Sequence, residues 1–182
     1  QLTILRAAQC NTETTPQFKM PEHHKLVEKG LEHIKDIEIT TGGQLGKIGN
    51  EFYLVGGQIF TGRYNPMNNP TFTQTYWSKI QKFTIDNSAA QLSFGNYTQM
   101  TDVVHLHRRD YNLVPQIFTD GQEGYTVSSG VFQINADLPF LYPVDVKSDG
   151  YYPQTQFNQY LSNYHSGKIG LYDGAQNNMH SL

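Results

Sequence analysis

The densest set of chemically capable side chains is His105-Leu106-His107-Arg108-Arg109-Asp110-Tyr111. It puts imidazoles, guanidiniums, a carboxylate and a phenol side by side. Read as a strand, the stretch turns His105, His107 and Arg109 to one face and Leu106, Arg108 and Asp110 to the other. Two imidazoles on one face could share a metal ion, and the Arg109 fork could clamp a ligand carboxylate. A zinc-type site also needs further ligands, and none sits at a fixed spacing, so no metal and no cofactor is expected. The structural reading weighs more. Adjacent guanidiniums beside an aspartate cannot all face water, and a buried charge persists only when it is paired and hydrogen-bonded. Either Arg108 or Arg109 is therefore expected to be buried, bridging Asp110 and backbone carbonyls. Arg108 and Asp110 are expected to be structural and the cluster around Arg109 mainly so, while His105, His107 and Arg109 stand as candidate ligand-binding residues.

A second candidate is the run Gly62-Arg63-Tyr64-Asn65-Pro66-Met67-Asn68-Asn69-Pro70. A long polar loop on a rigid scaffold often carries binding. Tyr64, Asn65 and Asn69 suit a sugar or peptide through ring stacking and amide hydrogen bonds. The plainer expectation, an ordered inter-strand loop, is the stronger one. Asp145 to Gly150 lacks the acidic order and terminal Glu of a calcium loop and reads as a turn. His23, His24 and His33 read as solvated, since HExxH is absent. No G-x-S-x-G elbow and no glycine phosphate loop occurs. The single Cys10 allows neither an internal disulfide nor a Cys-ligated zinc. No catalytic residue is assigned.

The elements that would hold these residues are mostly strands. The chain has 182 residues with 16% charged, and Gln, Asn, Thr, Ser and 12 Tyr fill the place of the missing charge. So aromatic a chain is not of the disordered class. A formal charge of −3 gives no basic footprint, which argues against nucleic acid. No apolar run reaches the roughly 20 residues of a membrane helix, so direct membrane insertion is not expected. One helix is expected, over 22–35, where Leu26, Val27, Leu31 and Ile34 share a face. Beyond it, short alternating runs separated by Gly, Asn, Asp and Pro clusters predict an all-β chain. These runs include Glu51–Phe60, Ile80–Asp86, parts of His105–Phe118 and Tyr125–Gln133, and Lys168–Tyr172.

The runs repeat. Tyr53-Leu54-Val55-Gly56-Gly57-Gln58 lies on Thr126-Val127-Ser128-Ser129-Gly130-Val131, so Gly56 and Gly57 match Ser129 and Gly130. Leu45–Ile48 precedes the first unit as Leu113–Phe118 precedes the second, and Ile80–Asp86 matches Gly167–Asp173. The glycine strands are expected in equivalent places of neighbouring antiparallel sheets, with Ile80–Ile85 and Lys168–Tyr172 as later strands of those same sheets. Irregular spacing is normal for a radial repeat, whose insertions fall in loops on one face.

The stretches YLVGGQIFTGRYNPMNNP and HLHRRDYNLVPQIFTDGQEGYTVSSGVFQ resemble a group of large Kelch-like β-propeller proteins of Bacteroidetes-type bacteria. The resemblance covers residues 44–182. It implies four-stranded antiparallel blades, export to the cell surface or medium, and no assigned catalysis. The organisation it suggests is an N-terminal segment over 1–43, blades over 44–102 and 103–173, and the start of a further blade over 174–182. Gly56, Gly57 and Gly130 would be structural. A propeller typically has about 4–8 blades, so the partner first expected is the remainder of the ring, from the same polypeptide or other chains. The function expected is a secreted or surface binding or structural module for a protein or glycan. The alternative is a carbohydrate-active enzyme, a hydrolase or lyase, working at the central channel.

Overall fold

The computed structural model describes residues 40–63, 71–88, 93–160 and 164–181. The expected helix over 22–35 and the loop residues Tyr64, Asn65 and Asn69 lie outside them. The described residues are all β. In chain order the first strands are β1 (Gln44–Ile48), β2 (Glu51–Val55), β3 (Gln58–Gly62), β4 (Phe72–Tyr76), β5 (Lys79–Asp86) and β6 (Ser93–Thr101). They make a four-stranded antiparallel sheet, β1-β2-β5-β6, with the β3-β4 hairpin inserted between its second and third strands. Next come β7 (Arg109–Ile117), β8 (Glu123–Val131), β9 (Val144–Lys147) and β10 (Gly150–Pro153), which form a second antiparallel four-stranded sheet in sequence order. The last pair, β11 (Gly170–Asp173) and β12 (Asn178–Ser181), is a separate hairpin against β7. The described sheets do not close into a ring.

Alternation decides which faces meet. Tyr53 and Val55 of β2, Ile80 of β5, Val127 of β8, and Val144 and Val146 of β9 are almost wholly buried, and they join Ile48, Leu106, Tyr111 and Leu113 in one core between the two sheets. The tyrosines of the second sheet fasten the first. The Tyr111 hydroxyl donates to the Val55 carbonyl and accepts from the Gln44 N–H at 3.1 Å. The Tyr125 hydroxyl accepts from the Lys47 N–H at 2.9 Å and donates to the Lys47 carbonyl at 3.2 Å. The Tyr111 phenol so satisfies backbone of β1 and β2 beside the core, and the Tyr125 phenol ties the exposed end of β1 to β8.

The repeat is visible in the backbone. Gly56 and Gly57 have φ of 51° and 96°, and Ser129 and Gly130 have 61° and 96°. The Gly57 carbonyl accepts from Trp77 N at 2.8 Å as the Gly130 carbonyl accepts from Phe140 N at 2.9 Å. The two corners differ in length. Val55 pairs with Ile80 and Val127 with Val144, so the second corner is one residue longer on both strands. Both glycine strands are second in their sheets, as expected, and Ile80–Ile85 is in the third strand of the first. Lys168–Tyr172 is a correction. The third strand of the second sheet is Val144–Lys147, which overlaps the run read as a turn, and the later segment instead pairs with Asn178–Ser181. That hairpin straddles the boundary drawn at 173.

The meander also sorts connections by length. At one end, β1-β2, β7-β8, β9-β10 and β11-β12 are joined by short turns. At the other lie the described part of the β3-β4 insertion and residues 102–108, 132–143, 154–160 and 164–169. The candidate residues sit at this second end.

Gly57 supports the corner in two ways. Its φ is one that other residues rarely adopt, and a Cβ there would lie 2.1 Å from Thr40 Oγ1 and 2.9 Å from Gly43 N. Gly57→Ala is therefore expected to destabilise the fold by at least the ~1–3 kcal/mol of a strained backbone residue, read as a lower denaturation midpoint. Gly121→Ala, in an open turn with nothing near its Cβ position, should cost less.

Candidate functional site

Residues 102–108 are not a strand. Asp102 opens a turn, its Oδ1 accepting from Val104 N at 2.8 Å and His105 N at 3.0 Å. The alternation expected for His105, His107 and Arg109 is lost there, because a carboxylate that captures nearby backbone N–H groups favours a turn over a ladder. The two imidazoles part. His105 Nδ1 meets Asp102 Oδ2 at 2.8 Å, and His107 Nδ1 meets Ser78 Oγ at 2.8 Å. Among the described residues, no three His, Cys, Asp or Glu side chains are grouped as around a metal ion.

Arg108 is the buried guanidinium, 2% exposed. It donates through Nε to the His105 carbonyl at 2.7 Å, through Nη1 to Ser129 at 2.9 Å and through Nη2 to Tyr142 at 3.1 Å. Its carbon lies 4.2 Å from the Phe140 ring centroid. Burial pulls the group down to about 9, opposed by Tyr111 and Asp102, so it remains a cation at neutral pH. Its anchors are backbone carbonyls and a ring face; Asp110 is on Arg109 instead. Arg109 is half-buried, with Nε 3.1 Å from Asp110 Oδ2, Nη1 3.3 Å from Gln74 Oε1 and its carbon 4.3 Å from the Phe132 ring centroid.

Around this pair the backbone is strained. Asp110, Ser129 and Phe132 have φ of 56°, 61° and 68°. A bulky residue with such a φ is an outlier, and such outliers gather at functional sites. The β3-β4 hairpin docks here through Gln74 and through Tyr76, whose ring lies 4.4 Å from that of His107. Burial raises the Tyr76 phenol, Arg109 lowers it, and Asp110 and Asp137 raise it again. Burial alone pushes His107 down.

Beside the turn is a cleft of about 110 Å³ lined by Val104, His105, Gln133, Phe140, Leu141 and Tyr142. Asp102 orients the imidazole. Burial pushes its carboxyl up, but hydrogen bonds from the His105 ring and from His105 and Val104 N–H outweigh this, and the net shift is downward. The ionised carboxylate holds the proton of His105 on Nδ1, so in the neutral ring Nε2 is the acceptor. A larger cleft of about 240 Å³ lies at the short-turn end, between Lys47, Gln116, Glu123, Tyr125 and Met179.

Next to the small cleft the chain displays aromatics that the sequence reading did not single out. Phe157, Tyr160 and Tyr164 are 62%, 82% and 60% exposed. Their neighbours are fastened. Gln159 donates through Nε2 to the Phe140 carbonyl at 2.7 Å, accepts from Ser129 N at 3.0 Å, and its N–H donates to the Leu141 carbonyl at 2.8 Å. Asn112 Oδ1 accepts from Ser166 N at 3.1 Å and its Nδ2 donates to the Tyr164 carbonyl at 3.5 Å. The available signal was compositional: Tyr151 to Tyr164 holds five aromatics and no charge.

No family model, no curated protein and no solved structure matches this chain.

Two outcomes are expected. Arg108→Lys cannot reach its carbonyls as a fork, and each one left unsatisfied costs about 1–3 kcal/mol. Arg109→Lys touches a partly exposed ion pair worth about 0–1 kcal/mol. Chemical denaturation of the two variants should separate them clearly. For pH, the folded pKa of His107 is below the unfolded value of about 6.5. Its contribution is therefore fully present above that value and is lost as pH falls toward the folded pKa, because the unfolded chain takes up the proton first. The fall in stability as pH drops below about 6.5 should be shallower in His107→Gln.

Proposed function

We propose that this chain is a binding or structural module built from Kelch-like propeller blades, secreted or displayed at a bacterial cell surface. Two consecutive four-stranded meanders with matching glycine corners support the blade reading. So does the serial packing of β1 on β7 and of β7 on the β11-β12 hairpin, which continues the order of neighbouring blades. The remainder of the ring is the first partner, and a protein or glycan is the ligand. One observation carries the binding role: exposed Phe157, Tyr160 and Tyr164 flank segments that Gln159 and Asn112 tie to the sheet. Aromatic side chains offer a large contact area at low conformational cost because they have few rotatable bonds, and here the segments that carry them are tied to the sheet.

A carbohydrate-active enzyme, a hydrolase or lyase, is the second reading, and Asp137, a carboxylate near Tyr76 at the long-connection end, is the residue on which it is tested. The readings separate on two variants. If the module binds through its aromatics, Phe157→Ser with Tyr160→Ser should weaken capture on glycan and peptide arrays at least tenfold, about 1.4 kcal/mol, with an unchanged melting temperature. Undiminished capture removes the aromatic surface from the account. If Asp137→Asn abolishes glycan cleavage by a protein that melts normally, the enzyme reading replaces the first.

A further inference from the structure

The cleft beside His105 differs in chemistry from the aromatic surface next to it. Val104 and Leu141, which line it, are 60% and 48% exposed, and Val103, Ile134 and Leu138, neighbours in sequence of the lining segments, are 47%, 48% and 56% exposed. These are aliphatic groups, which shed water from an apolar guest but offer sugar hydroxyls no partner. The polar groups of the wall are largely engaged. The carbonyls of Phe140, Leu141 and Tyr142 accept from Gln159 Nε2, Gln159 N and Arg108 Nη2. The amide nitrogen of Gln133 donates to the Pro139 carbonyl. The Phe140 ring is covered by the Arg108 guanidinium. Among the lining groups, the His105 ring is the one set by a carboxylate, with Nδ1 on Asp102 and Nε2 the atom it can offer a guest.

A small apolar cleft with one oriented acceptor suits an aromatic ring that carries one donor. We infer that it is an anchor pocket for a polypeptide partner, taking a Trp or Tyr side chain whose N–H or O–H donates to His105 Nε2. Anchors of this kind dominate protein interfaces, and an apolar rim that excludes water around them strengthens the contact. The pocket wall is tied to the segment that carries Phe157 and Tyr160, since the Leu141 carbonyl accepts from Gln159 N–H. The inference rests on the binding reading and narrows its ligand from protein or glycan to protein.

The test is a titration of the 182-residue chain with four probes, followed by the methyl signals of Val104 and Leu141 and the ring signals of Phe157 and Tyr160. N-acetyl-tryptophanamide and N-acetyl-tyrosinamide should shift the two methyls, with Kd on the order of 1 mM. N-acetyl-phenylalaninamide should bind at least threefold more weakly, and methyl β-glucoside should leave the methyls unmoved. Leu141→Ser should weaken the tryptophan probe about tenfold, and Val104→Thr serves the same purpose if that variant melts early. His105→Leu should erase the preference for the phenol over the phenyl probe. Amide probes that leave Val104 and Leu141 unmoved overturn the inference, as does equal binding of all three aromatic amides to the wild type. A glucoside that shifts the Val104 and Leu141 methyls as the amides do keeps the binding reading and overturns the polypeptide anchor.

Discussion

Arg108 is the group on which the long-connection end depends. One cation holds the carbonyl of its own turn at His105, of the β8 corner at Ser129 and of the following connection at Tyr142. These segments have no common ladder, so the guanidinium does for them what strand pairing does within the sheets. Its fixed fork suits three acceptors in different directions, which a single ammonium could not face at once. The desolvation cost of a buried cation is met by these bonds and by the Phe140 face. In the first sheet the equivalent place is held by Thr40, which bonds the Gln58 carbonyl at 3.3 Å. The wider second corner and the larger side chain thus belong together.

Much of the fold was legible because alternation and left-handed glycines are local signals. Gly56-Gly57 and Ser129-Gly130 match in sequence and in dihedral angles. Alternation names a strand but not its neighbour. Lys168–Tyr172 alternates as Ile80–Ile85 does, yet it pairs outside the second sheet, while the four residues of β9 were hidden beside the turn they enter. β6 passed unseen because its nine residues, SFGNYTQMT, face water along much of an edge and carry few apolar side chains.

The site was legible in composition rather than in geometry. The residue cluster 105–111 does sit at the end where the long connections gather, but its apparent faces depended on a ladder that Asp102 prevents. An aspartate just upstream was the local signal for that turn. Alternation set Arg108 and Arg109 on opposite faces but did not say which face is enclosed. Only the packing of the second sheet against 132–143 decides that the first is enclosed and the second half-exposed.

The attachment of Gln159 has a mechanical meaning. Its side chain and backbone hold Ser129, Phe140 and Leu141 together. A pull applied at Tyr160 would therefore pass along the chain to β10 and also through one amide into β8, an interior strand flanked by β7 and β9. Load entering there is shared by ladders on both sides of the strand. The same pull entering only at the rim strand β10 would have a single ladder to peel. The surface that would grip a partner is wired to the part of the sheet best able to resist being dragged out.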